Sequence, residues 1–177
     1  MNKFKINVIP VFINSNSNKY NIILSIQIDE KILNTNYDVD IFEIIQLISN
    51  DDNDIEHFWT CDCGVAACAG IVGINTIHRG DIVYCIFPDK ISTSSSLDYK
   101  AWTQQKTFKT YKFSKIQIAK SLLDLADKIN STVKEQDNNS LIGYNIGMDD
   151  YGCFEPIFDL PNYIRHKVFS CFELQLQ

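Results

Sequence analysis

No part of this 177-residue sequence stays apolar for long. Nothing approaches the roughly 18 residues of a membrane span. At the amino terminus Asn7, Pro10 and Asn14 interrupt the apolar stretch behind Lys3 and Lys5 before a secretory signal core forms. The expectation is a cytoplasmic protein that does not enter a membrane. Basic charge is also scarce: arginine occurs only at Arg79 and Arg165, and 16 Lys plus Arg against 22 Asp plus Glu leave a net charge of -6. Binding driven by counterion release needs a clustered basic surface, so nucleic acid is not expected, and the acidity favours a basic partner. Histidine is limited to His57, His78 and His166. No glycine-rich phosphate loop is present, because Gly143, Gly147 and Gly152 miss the Walker spacing and lead into no marked helix. No serine stands in a nucleophile-elbow setting. There is no internal repeat and no linker, so residues 1–177 read as one domain, and no catalytic set stands out.

What is present builds a core, since 45% of residues are apolar. Phe4, Ile6, Val8 and Phe12 alternate along one strand. Pro10 cannot donate to a ladder, which predicts an open edge there. After the turn-rich 14–18, Tyr20, Ile22, Leu24, Ile26 and Ile28 alternate again and complete a long antiparallel hairpin. Ile41, Ile44, Ile45 and Ile48 then fall at helical spacing, predicting a helix capped by Asp38 or Asp40 and ending near Asn50. A second hairpin is expected from 71–77 and 81–87, turning at His78-Arg79-Gly80, followed by a strand over 107–113.

The next helix has the clearest signals. Ser114 and Gln117 have capping-box spacing, Phe113 can staple against Ile118, and Ile118, Leu122, Leu125 and Ile129 form a buried stripe reaching about Val133. From about 140 the sequence predicts an irregular tail with one short helix near 162–168. The order of elements gives an α+β fold, an antiparallel sheet built from hairpins and packed against two main helices.

Three cysteines, Cys61, Cys63 and Cys68, lie within eight residues. With His57, or with Cys85 or His78 as a fourth donor, they could hold a tetrahedral zinc, although the single residue between Cys61 and Cys63 is shorter than usual finger loops. Gly64 would then supply the turn. The other reading is packing: free cysteine is among the most buried residue types, and Ala66, Ala67, Ala69 and Gly70 let another backbone approach closely.

The run Phe58-Trp59-Thr60-Cys61-Asp62-Cys63-Gly64, continuing to Cys68-Ala69-Gly70-Ile71, resembles a signature of small uncharacterised bacterial proteins, an aromatic followed by Cys-x-Cys-Gly and then Cys-Ala-Gly. Phe108 to Leu125 is similar to them as well, so the resemblance spans about residues 4–130, with Ala67 where glycine is expected. More loosely, in size, acidity and α+β build, the chain resembles immunity proteins of bacterial toxin systems of the contact-dependent inhibition type. That resemblance implies a non-catalytic module that binds and occludes a cognate, basic protein toxin without a cofactor. The candidate contacts are the acidic stretch Asp51, Asp52, Asp54 and Glu56 for steering, and Tyr151 and Phe154 as aromatic anchors. The alternative is a small zinc-binding or cysteine-centred protein or enzyme using Cys61, Cys63 and Cys68.

Overall fold

The computed structural model describes residues 1–12, 19–33, 38–39, 41–49, 58–60, 74–88, 107–135, 141–145, 154–156 and 160–173. Strand β1 (Phe4–Phe12) and strand β2 (Lys19–Ile28) form the expected hairpin, with Phe4 opposite Ile28 and Phe12 opposite Tyr20. Their alternation puts Phe4, Ile6, Leu24, Ile26 and Ile28 in the core. A tight turn at Asp29-Glu30 leads into β3 (Lys31–Ile32), which pairs back on β2. Both turn residues have positive φ, 48° and 70°, as a two-residue type I′ turn requires. Neither is glycine, so the turn is held from outside. Asp29 accepts the backbone N–H of Lys3 at 2.8 Å and the amide of Asn2 at 2.6 Å. Those bonds, Lys3 first, hold the Asp29 carboxyl below its ordinary value.

Short strands β4 (Asp38–Val39) and β5 (Trp59–Thr60) pair with each other. Between them, α1 (Ile41–Gln46) is shorter than the expected helix. The N–H groups of Leu47, Ile48 and Ser49 bond carbonyls three residues back, each at 3.1 Å, tightening the final turn. Ile41, Ile44, Ile45 and Ile48 are nevertheless all buried. Strands β6 (Asn75–Arg79), β7 (Ile82–Pro88) and β8 (Phe108–Ser114) form a three-stranded antiparallel sheet. Its first turn is Gly80-Asp81, two residues later than expected, with Gly80 at φ 55° in the first central position where a type II′ turn takes glycine. His78 therefore belongs to a strand and is buried.

Helix α2 (Lys115–Glu135) carries the expected stripe: Ile118, Leu122, Leu125 and Ile129 are fully buried with Ala126. The capping-box contact is replaced. The Lys115 N–H bonds the carbonyl of Asp81 at 2.9 Å, and the amide of Gln117 bridges the backbone of Asn2 and Phe4 at 3.1 Å each. The stretch expected as an irregular tail with one short helix near 162–168 holds more regular structure in its described residues, and the expected helix is longer. That stretch supplies β9 (Leu141–Asn145), β10 (Phe154–Pro156) and a 14-residue helix α3 (Leu160–Glu173), whose Ile164 and Val168 are buried. Strand β9 runs parallel to β2, with Lys19 opposite Leu141, so the larger sheet, ordered β1-β2-β9-β10, is mixed. The fold is α+β, hairpin-built sheets packed on helices around one buried cluster.

Two outcomes follow from the Asp29-Glu30 turn. Glu30→Gly relieves a left-handed side-chain conformation and is expected to stabilise the chain by up to about 1 kcal/mol in urea unfolding. Because the Asp29 carboxyl is depressed in the folded chain, its contribution is present above the unfolded pKa and fades as pH falls through the folded one. The stability difference between wild type and Asp29→Asn should thus be flat from pH 7 to 5 and shrink below about pH 4.

Candidate functional site

The three-stranded sheet has two unlike faces. On the inner face Thr76, His78, Val83, Cys85, Phe87, Tyr111 and Phe113 are all buried. Aromatic edges hold this layer: Phe87 meets Phe58 and Tyr111, each at 5.6 Å between ring centroids, and Phe113 meets Phe4 at 5.2 Å. Burial pushes the Cys85 thiol far above its ordinary value, so it stays protonated and packs as a small apolar side chain.

Register places a second set on the outer face, where Ile77 lies opposite Tyr84 and Tyr84 opposite Lys112. Asn75, Ile86 and Thr110 form one flanking row, and Arg79, Ile82 and Ser114 the other. Phe108 pairs with Pro88 at the far end. Phe108 is 54% exposed and Ile77 38%, while Ile82, Tyr84 and Ile86 are half-buried. The ammonium of Lys112 sits 5.7 Å from the Tyr84 ring centroid, a cation–π contact that orients the tyrosine. This face combines Ile77, Ile82 and Ile86 with two aromatics, Tyr84 and Phe108, and the cations Arg79 and Lys112 beside them.

A different region holds a buried cation. Lys115, the first residue of α2, is 1% exposed, and its ammonium donates to the carbonyl of Ser49 at 2.8 Å, at the end of the turn that closes α1. On α3, burial raises the Cys171 thiol, and the nearby Lys167 and Lys115 oppose that rise.

The residues singled out from sequence fall mostly elsewhere. Asp51, Asp52, Asp54, Glu56, Cys61, Cys63, Gly64, Cys68, Gly70 and Tyr151 lie outside the described residues. Phe154 opens β10, opposite Asn145, with its backbone alone described. The flanks of the acidic stretch are fixed. Ser49 precedes it and bonds Lys115, and Phe58 follows it with its ring fully buried against Phe87. Sequence reading missed the outer sheet face. The signal was the unbroken apolar run from Ile82 to Phe87, a pattern for a strand covered on both sides. Among the described residues, no His, Cys, Asp and Glu cluster suited to a metal ion occurs, and no helix is long and apolar enough to cross a membrane.

No family model matches the chain, and neither a curated protein nor a solved structure matches it significantly.

The two faces predict opposite costs for one kind of change. Ile77→Ser on the outer face should alter stability by no more than about 0.5 kcal/mol. Val83→Ser on the inner face should cost about 2 kcal/mol or more by chemical denaturation, because it combines a cavity with a buried hydroxyl.

Proposed function

We propose that this chain is a non-catalytic protein-binding module, and in its most specific form an immunity protein that occludes a cognate bacterial toxin from within the cytoplasm. The observation that carries the reading is the partly exposed outer face of β6, β7 and β8, where Ile77 and Phe108 are exposed and Ile82, Tyr84 and Ile86 are half-buried on a three-stranded support. An obligate core face would be buried, and a purely solvated face would be polar.

The net charge of -6 supports a basic partner, since opposed potentials raise the rate of encounter. Asp51, Asp52, Asp54 and Glu56 supply part of that field, and Tyr151 and Phe154 add aromatic area. Occlusion needs no turnover: a complementary patch covers the toxin's active site, and a few desolvated anchors contribute most of the affinity. Arg79 and Lys112 at the border of the sheet face set register by pairing with carboxylates of the partner.

The test is neutralisation. If the gene immediately upstream encodes a toxin module, that module is expressed in a bacterial host with wild type or with the double variant Ile77→Asp, Phe108→Asp. Wild type should restore growth and form a 1:1 complex by calorimetry, and the double variant, folded by circular dichroism, should bind at least 100-fold more weakly, about 2.7 kcal/mol. Unaltered protection by the double variant would overturn the docking surface. Protection absent with wild type, together with about one zinc per chain in protein purified without added metal, would replace this reading with the one centred on Cys61, Cys63 and Cys68.

A further inference from the structure

Strand β8 ends the order of the three-stranded sheet, and its free side is closed at Lys112 by Asn2. The Asn2 N–H donates to the Lys112 carbonyl at 2.9 Å, and the Asn2 side-chain oxygen accepts the Lys112 N–H at 2.8 Å. Both main-chain groups of Lys112 therefore point away from β7. Directions alternate along an antiparallel strand, so the N–H and C=O of Thr110 and of Phe108 point to the same free side. Those of Tyr111 and Lys109 point to β7, opposite Cys85 and Phe87. Among the described residues no strand and no side chain bonds the free side at Thr110 or Phe108. Solvent reaches this edge, since Thr107, Phe108, Lys109 and Thr110 are all exposed, Phe108 at 54%. Two neighbouring open rungs on an exposed edge are a template for a further strand.

Charge selects the occupant. Strands β6, β7 and β8 carry Arg79, Lys109 and Lys112 and no carboxylate, on a chain whose net charge is -6. Lys109 stands between the two open rungs, its ammonium 4.9 Å from the Tyr111 ring centroid. Asp29, whose carboxyl feels the charge of Lys109, is committed to Asn2 and to the Lys3 N–H. A second copy, antiparallel across a two-fold axis, matches open rungs to open rungs only with Phe108 against Thr110 of the second copy. That register sets each Lys109 directly opposite the other, and like charges so placed are destabilising. A register centred on Thr110 would need Lys112, where Asn2 already sits. The edge thus disfavours its own copy and favours a strand with a carboxylate at its middle position.

We infer that the β8 edge at Phe108 and Thr110 takes up, as an added strand, a short extended segment of a second protein with an acidic residue between two apolar ones. The two apolar residues pair main chain to main chain with Thr110 and Phe108. Their side chains lie on the outer face beside Phe108 and remove part of its exposed ring from water. The acidic residue falls opposite Lys109. Asn2 sets the length, because a guest strand stops where Asn2 takes the Lys112 rung. This edge borders the outer face of β6, β7 and β8, and its test needs no toxin.

The probe is the acetylated, amidated peptide Thr-Val-Glu-Val-Thr, titrated into the full chain with backbone amide resonances followed by NMR. The Phe108 and Thr110 amides should shift and exchange more slowly, with Kd of about 1 mM or tighter. The Lys112 amide, already bonded to Asn2, should keep its exchange rate. The same peptide N-methylated at both valines, and Thr-Val-Lys-Val-Thr, should each bind at least about tenfold more weakly. Lys109→Glu, folded by circular dichroism, should reverse the preference between the glutamate and lysine peptides. The chain alone should sediment as a monomer. The inference is overturned if the Phe108 and Thr110 amides stay unmoved, if the N-methylated peptide binds equally, if Lys109→Glu leaves the preference unchanged, or if the chain dimerises through β8.

Discussion

Helix α2 fills a space that two separate sheets both need, and the hydrogen bonds at its first turns keep those sheets in place beneath it. Ile118, Leu122, Leu125 and Ile129 provide the apolar surface. Apolar burial is non-directional, so on its own it would let either sheet slide. Direction comes from Asn2. Its N–H donates to the carbonyl of Lys112 on β8 at 2.9 Å, its side-chain oxygen accepts the Lys112 N–H at 2.8 Å, and its amide reaches Asp29 beyond β2. Gln117 then bonds the carbonyl of Asn2 from the helix. One residue thus connects the β8 edge, the Asp29-Glu30 turn and α2.

A second polar tie runs through the core. Lys115 at the start of α2 brings its ammonium to the carbonyl of Ser49, fixing the end of the α1 turn against the helix. A buried ammonium is costly without oxygen ligands, so its placement constrains where the chain before residue 50 can lie. On the far side of α2, Arg165 of α3 pairs with Asp127 at 2.7 Å. This pair is exposed enough on the Asp127 side to add little stability, but it sets the helices in register. The three-stranded sheet thereby has its inner face in the core, while its outer face is half-exposed among the described residues.

The local periodicities were legible in the sequence. The hairpin of β1 and β2 followed from alternation, and Pro10 marked an edge because its missing N–H falls on the side away from β2. The α2 stripe was equally plain. What was hidden depended on distant contacts. Strand β9 pairs with β2 across more than a hundred residues of chain and carries Gly143, a poor strand former, so no local pattern announced it. Gln117 read as a capping residue because of its spacing from Ser114, but Asn2 and Phe4 compete for the same amide. The outer face of β6, β7 and β8 was hidden for a different reason. An apolar run such as Ile82 to Phe87 signals a strand covered on both sides without saying what covers the second side.

The proposed binding function rests on that half-exposed apolar face. Hydrogen exchange measured by mass spectrometry on the chain alone and with the proposed toxin partner tests this most directly. The account predicts slowed exchange over 75–88 and 108–114 on complex formation, with α2 unchanged. A tight complex that leaves those strands exchanging at their free rates would contradict it.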